Sequence, residues 1–172
     1  MPVGVRGQYE RRAYPIPDEL IHRHPFRETI RLVAAKVGLA KLTDHEKGWA
    51  SLDEVYCELD RKTAQSLNSS SATHVHCYED GALETFRQAT VLGLQRSYEL
   101  PIAHWRTMRE LLAREADRLP QWGPTLVATE DSAKKLARKD EELELADTIT
   151  VPSQFVLDSL PEGIRSKKTC IV

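Results

Sequence analysis

The spacing of apolar residues changes near residue 72, from a helical repeat to short segments of strand length. Before this point, apolar residues recur every three or four positions over 26–37 and 52–68, which is the repeat of amphipathic helices. Residues 51–54 have capping-box spacing before the second of these segments. We therefore predict a helical amino-terminal region, preceded over residues 1–23 by an irregular, proline-containing arm.

After residue 72, four short segments rich in β-branched and aromatic residues alternate with helical repeats. They predict strands at 73–78, 96–100, 148–151 and 169–172. Alternation of this kind predicts right-handed βαβ units and a parallel sheet. The predicted fold class is α/β, an incomplete Rossmann-like parallel sheet flanked by helices and preceded by a helical amino-terminal segment.

The carboxyl-terminal boundary of the predicted domain, residues 24–172, falls inside secondary structure. The last predicted strand runs into the final residue, and no strand with a Gly-rich turn occurs near the start. Because domain boundaries usually fall in exposed linkers, we interpret this segment as part of a larger domain. Open sheet edges are therefore expected to favour self-association.

Charge and hydropathy exclude several classes of partner. The net charge is −2, so no excess charge attracts nucleic acid or an anionic membrane. No apolar run approaches the roughly 20 residues that span a bilayer, and the amino terminus lacks the apolar stretch of a signal peptide. The three cysteines lack CxxC spacing, which argues against a disulfide framework and fits a reducing compartment. The expected location is cytoplasmic.

One predicted strand carries residues of the kind that bind metal ions. His74 and His76 lie on the same side of the predicted strand 73–78, with Cys77 beside them and Cys57 elsewhere in the chain. Zinc ligands usually occur in paired spacings such as C-x₂₋₄-C, and none is present. We therefore predict neither a metal nor a cofactor.

The predicted ligand site lies where the parallel strands end. In open α/β sheets, ligands bind beyond the carboxyl ends of the strands, because the loops that follow parallel strands share one edge. Carboxylate, imidazole, guanidinium and hydroxyl groups that bind sugars and phosphates directionally occur at these ends. The candidates are Tyr78, Glu79, Asp80, Glu99, His104, Arg106 and Ser153.

Several of these residues also have a structural interpretation. Asp80 could cap the following helix while Gly81 relaxes the turn, and this alternative to sugar binding by Tyr78 and Glu79 stays open. Trp105 is interpreted as core rather than as a sugar platform. Ser153 is predicted mainly to cap the short helix after Pro152.

Four stretches of the chain share a pattern with one enzyme family. They are HVHCYEDGALETFRQATVLGL, YELPIAHWR, EADRLPQW and KLARKDEELELADTITVPSQFVLDSLP. In the last, an acidic helix runs into Ala-Asp, a strand, Pro-Ser and an aromatic residue. Together they resemble the amino-terminal domain of glycosyltransferase family 4, which has the two-domain GT-B fold, over residues 72–172 and more loosely over 24–68.

This resemblance implies transfer of a sugar, with retention, from a nucleotide-sugar donor to a carbohydrate or lipid-linked acceptor. In that family the carboxyl-terminal domain binds most of the donor, so the isolated chain is expected to be inactive. Many members have a histidine at the end of the strand that corresponds to 95–99, where this chain has Glu99 and Leu100. Glu99 and His104 are therefore the candidate catalytic residues, with His104 a substitute for that histidine rather than a match.

Two other functions stay open on the sequence. The first is a non-catalytic α/β binding module that recruits a partner through an unfinished sheet edge. The second is a small α/β enzyme of another class that uses the strand ends at 78–81 and 99–106.

Overall fold

The structure, a computed structural model, describes residues 15–126, 131–166 and 168–171, the last four in their backbone only. Seven α-helices and four strands are found there. The helices are α1 (Phe26–Lys36), α2 (Leu52–Leu67), α3 (Leu83–Leu92), α4 (Trp105–Arg118), α5 (Ala133–Leu145), α6 (Gln154–Ser159) and α7 (Glu162–Arg165). The strands are β1 (His74–Tyr78), β2 (Gln95–Glu99), β3 (Thr148–Val151) and β4 (Lys168–Ile171).

Local sequence signals fix several of these boundaries. The Ser51 side chain accepts a hydrogen bond from the backbone N–H of Glu54, which confirms the predicted cap of α2. Ser132 caps α5 in the same way. Gly93 ends α3 in the left-handed conformation, with φ of 70°, which glycine adopts without a steric penalty.

The four strands form one parallel sheet in the order β1-β2-β3-β4. Each connection therefore moves to the next strand in the same direction. Since βαβ crossovers are right-handed, this order places the connecting helices on a single face of the sheet. The α/β class, the parallel sheet and the helical amino-terminal segment confirm the prediction.

That covered face holds the core. Tyr98 of β2 and Ile149 of β3 are register partners, and both are fully buried. They pack in one cluster with Phe86 of α3, Leu143 of α5 and Val156 of α6. Full burial of apolar side chains of this size contributes about 1.5–3 kcal/mol each, so α3, α5 and α6 are held on the sheet mainly by this cluster.

The opposite face of the sheet is polar. Its alternate positions on β1 carry His74, His76 and Tyr78, all of them exposed. The same face continues through polar side chains of the next two strands, namely Gln95, Ser97, Glu99, Thr148 and Thr150. Parallel sheets are usually apolar and covered on both faces, so a polar face is an unusual feature of this one.

The structure adds detail to the predicted loops. A 3₁₀ helix, Ala40–Leu42, lies within the segment 39–50 that the sequence marks as loop, and another, Pro120–Thr125, follows α4. The short helix α7 was also not predicted. The first fourteen positions of the predicted arm lie outside the described residues. Within the described part of the chain, no helix is both long and apolar enough to cross a bilayer.

Candidate functional site

The carboxyl ends of the strands meet at one edge of the sheet. Tyr78, the last residue of β1, is the register partner of Glu99, and Glu99 is in turn the partner of Thr150. All seven predicted residues lie at this edge, in the turns that follow or at the start of the next helix. Successive residues of a strand point to opposite faces, however, so the structure distributes them among separate groups.

The first group lies on the polar face, and we call His76, Tyr78 and Glu99 the strand-end group. The Nε2 atom of His76 is 3.0 Å from Oε2 of Glu99. The rings of His76 and Tyr78 meet edge to face, with centroids 6.1 Å apart and planes at 87°. Tyr78 is 56% exposed, and both members of the His76–Glu99 pair are also open to solvent.

This arrangement suits recognition of a hydroxyl-rich ligand. When Nε2 of His76 carries the proton, it donates to Glu99 and fixes the direction of that carboxylate. The remaining carboxylate lone pairs can then accept hydrogen bonds from ligand hydroxyls. The exposed ring of Tyr78 offers an apolar face beside these polar atoms.

The second group lies beneath the covered face, where Glu79 and Asp80 meet lysines of α5. Lys139 Nζ is 3.2 Å from Oε1 of Glu79 and 3.6 Å from Oδ2 of Asp80. Burial raises the pKa of Glu79, and Lys139 opposes that rise. Burial also lowers the pKa of Lys139, but the charges of Glu79 and Asp80 outweigh it and raise that pKa overall. These carboxylates are thus already partnered inside the protein.

The turn that contains Asp80 is held by residues from distant helices. Asp80 has φ of 70°, a left-handed conformation that aspartate tolerates better than most residues. Among the described residues, its Oδ1 atom is buried without a hydrogen-bond partner. The structural interpretation of Asp80 as the cap of α3 is therefore wrong, since the cap position is Ala82 and no side chain of the turn caps the helix.

The side chain that caps the amino-terminal end of α3 is Asp60 of α2. Its two carboxylate oxygens accept hydrogen bonds from the backbone N–H groups of Glu84, at 2.8 Å, and Thr85, at 2.9 Å. Free N–H groups in the first turn of a helix must be satisfied by some acceptor, and a carboxylate there also favours the helix dipole. The cap is supplied from more than twenty residues away, which explains why local spacing did not reveal it.

Glu142 of α5 holds the other side of the same turn. It is fully buried and accepts hydrogen bonds from the backbone N–H groups of Asp80, at 3.0 Å, and Ala82, at 3.2 Å. The hydroxyl of Tyr98 donates to it at 3.1 Å, and Nε of Arg138 is also 3.1 Å away. Burial raises the pKa of Glu142, and Arg138 opposes this most strongly. Its contacts are therefore structural ones.

The third group surrounds the start of α4. His104 is fully buried, and its Nε2 lies 3.2 Å from Oδ1 of Asp140. Its Nδ1 accepts from the backbone N–H of Arg106 at 3.4 Å, so His104 is the N-cap of α4. Burial lowers the pKa of His104, although Asp140 opposes this. The structure gives this candidate catalytic residue a capping position away from solvent.

Arg106 lies at the surface of the same group. Its side chain is 57% exposed, and its guanidinium pairs with Oδ2 of Asp140 at 3.1 Å and lies 4.9 Å from the centre of the Trp105 ring. Trp105 is half-buried, and its Nε1 donates to Asp140 at 2.7 Å. Ser153 accepts from the backbone N–H of Val156, which confirms its predicted role as a cap, here of α6.

Sequence reasoning left out His76, Asp60, Asp140 and Glu142 as partners of the site. His76 could have been found, because it shares a strand face with Tyr78 at a spacing of two residues. The other three carry no local signal, since each acts on backbone or side chains at least 24 positions away. No protein-family model matches the chain, and neither does any curated protein or solved structure.

Proposed function

We propose that the chain is the acceptor-side part of a retaining glycosyltransferase, and that the strand-end group contacts the sugar. The observation that supports this most is the exposed His76–Glu99 pair beside the open ring of Tyr78, at the carboxyl edge of a parallel sheet. The resemblance of the sequence to glycosyltransferase family 4 supplies the reaction class.

Each member of the group has a distinct role in this proposal. Glu99 accepts hydrogen bonds from sugar hydroxyls, because a carboxylate offers several acceptor lone pairs in a fixed direction. His76 holds the carboxylate of Glu99 in place through its Nε2 atom. Tyr78 packs its ring against the apolar face of the sugar.

The other candidates take supporting positions. Arg106 keeps part of its guanidinium exposed and is the proposed contact for a donor phosphate, since guanidinium binds phosphate oxygens in pairs. Glu79 and Asp80 shape the turn after β1 while paired to lysine. The proposed ligands are a nucleotide-sugar donor and a carbohydrate or lipid-linked acceptor, with no cofactor.

Carbohydrate binding by the chain tests this proposal. Saturation-transfer NMR with a panel of nucleotide-sugars and oligosaccharides should reveal at least one ligand of the wild-type chain. Glu99→Gln and Tyr78→Ala should each weaken that signal strongly. Glu141→Gln is the matched control, because Glu141 is a similarly exposed glutamate that pairs with Arg87 on the covered side.

Two results would contradict the proposal. One is the absence of binding across the whole panel, and the other is binding that is equal in all four proteins. In the second case the sugar is bound elsewhere.

A non-catalytic binding module is the alternative, and one observation favours it. In the described sheet β1 pairs only with β2, so it is an edge strand, and edge strands are where partner strands add to a sheet. Concentration-dependent association in analytical ultracentrifugation, together with no binding of any saccharide, would support this alternative over sugar transfer.

A further inference from the structure

A cluster of metal-ligating side chains lies away from the strand ends, where the loop before α2 meets the amino-terminal end of α5. Nε2 of His45 is 3.0 Å from Oδ1 of Asp131 and 3.4 Å from Oε1 of Glu46. One ligand atom from each residue lies within 4.8 Å of the other two. Asp131 is distant from His45 in sequence, so no metal-binding motif indicates this group.

The distances fit the edges of a metal coordination polyhedron. Zinc binds histidine nitrogen and carboxylate oxygen at about 2.0–2.2 Å, so neighbouring ligand atoms of a tetrahedral site are roughly 3.3–3.5 Å apart. The two distances from His45 Nε2 lie near this range without any movement of the chain. We propose that His45, Glu46 and Asp131 bind a divalent transition-metal ion, with Zn²⁺ the best match to one imidazole and two carboxylates.

The orientation of His45 supports the proposal independently of these distances. Its Nδ1 is 3.2 Å from Oδ2 of Asp53. When Nδ1 carries the ring proton, it donates to that carboxylate, and the lone pair of Nε2 is directed at Glu46 and Asp131. A carboxylate that orients a histidine in this way is typical of metal sites.

The loop that carries the ligands is held independently of a metal. A Cβ atom at Gly48 would lie 2.5 Å from the carbonyl oxygen of Leu42, so only glycine permits this close approach. The backbone N–H of Glu46 donates to Asp53 at 3.1 Å, and the carboxylate of Glu46 accepts from the backbone N–H of Ser132 at 2.8 Å. Little chain entropy is then lost when an ion binds.

Two lysines that pair with Asp131 lower the affinity of the site for a metal ion. Nζ of Lys135 is 3.1 Å from Oδ1 of Asp131, and Nζ of Lys139 is 3.7 Å from its Oδ2. An incoming ion competes with Lys135 for Oδ1, but Lys135 keeps a second partner in Asp53 at 2.8 Å. The three carboxylates of Glu46, Asp53 and Asp131 outnumber the two ammonium groups, so the site retains a negative charge that favours a divalent cation.

Isothermal titration of the metal-free chain with ZnCl₂ tests the site. We expect one Zn²⁺ per chain, and a loss of affinity of at least tenfold in His45→Ala and in Glu46→Gln. Asp53→Asn should cost about 10–100-fold, the usual effect of removing the group that orients a ligating histidine. His24→Ala is the control, because His24 is another exposed histidine that belongs to neither group. Circular dichroism of each variant verifies that it is folded.

Two outcomes of this titration would contradict the metal-site proposal. Zinc binding that is unchanged in His45→Ala shows an adventitious ion only, and absence of stoichiometric binding shows that the three side chains do not form a metal site. Either outcome overturns the proposal. Neither depends on sugar binding, so the failure of this site and the failure of the strand-end group are distinguishable.

Discussion

Charged residues at the carboxyl edge of the sheet are buried and paired on one face and exposed to solvent on the other. On the covered face, Glu79 is largely buried and is paired with Lys139. On the polar face, Tyr78 and Glu99 are open to solvent, and the partner of Glu99 is a histidine. Tyr78 and Glu79 are neighbours in sequence, so strand alternation alone separates a buried charge network from an accessible group.

Burial distinguishes carboxylates that stabilise the fold from carboxylates that can bind a ligand. A buried carboxylate loses its hydration and needs partners within the protein, so its hydrogen-bonding capacity is used internally. An exposed carboxylate that is fixed by one partner keeps lone pairs for a ligand. Mutations should therefore affect the stability of the fold on the covered face and ligand binding on the polar face.

The largest effect is expected for Glu142→Ala. The substitution removes the acceptor for the N–H groups of Asp80 and Ala82 and for the hydroxyl of Tyr98, and it leaves Arg138 without its carboxylate. Breaking a buried, hydrogen-bonded ion pair costs about 3–5 kcal/mol. Urea denaturation followed by circular dichroism measures the free energy of unfolding.

The neighbouring residue supplies the control for this substitution. Glu141 is exposed and pairs with Arg87 at the surface, so Glu141→Ala should cost no more than about 1 kcal/mol. Equal losses in the two variants would show that the covered-face network is no more structural than a surface ion pair.

The next largest effect is expected for Asp60→Ala. Asp60 is buried, and its loss leaves the N–H groups of Glu84 and Thr85 without an acceptor at the start of α3. A buried polar group left unsatisfied costs about 1–3 kcal/mol. Asp60→Asn retains one acceptor oxygen and should lose less than Asp60→Ala in the same denaturation assay. An asparagine variant as unstable as the alanine one would contradict the capping role.

The sequence predicted the fold better than the site, for a physical reason. Helical repeats and β-branched segments are local signals, and they predicted most of the helix and strand boundaries to within a residue or two. Topology then brought Tyr78 and Glu99 to one edge as register partners. The pairing of Glu79 with Lys139 and the cap supplied by Asp60 depend on which helix packs where, and local spacing does not encode such contacts.

A smaller effect concerns the pH dependence of stability at His104. Burial lowers the pKa of His104 in the folded chain, so the unfolded chain takes up a proton first as pH falls. Its contribution to stability is therefore complete above the ordinary histidine pKa of about 6.5 and is lost as pH falls through the folded pKa. The wild-type chain should thus lose this contribution during acidification, whereas His104→Asn should not.

The asparagine variant is a suitable reference because asparagine is also a good N-cap for α4. Two other groups also change the stability of the fold with pH. Glu79 and Glu142 have raised pKa values, so their contributions to stability are present at low pH and are lost as pH rises. Both proteins contain these two groups, and subtraction of the two stability curves removes them. A difference curve that is flat from neutral pH into the acid range would refute the role assigned to His104.

The smallest effect on stability is expected where the largest effect on binding is proposed. In Glu99→Gln, the amide keeps the shape of the side chain and removes only the charge opposite His76. Because this pair is exposed, the free energy of unfolding should fall by no more than about 1 kcal/mol. Saccharide binding should nevertheless weaken strongly, since a charged acceptor forms stronger hydrogen bonds to hydroxyls than an amide does. The same protein sample should be measured by urea denaturation and by saturation-transfer NMR. A loss of several kcal/mol would mean that Glu99 is as structural as Glu142, and the distinction between the two faces would then be incorrect.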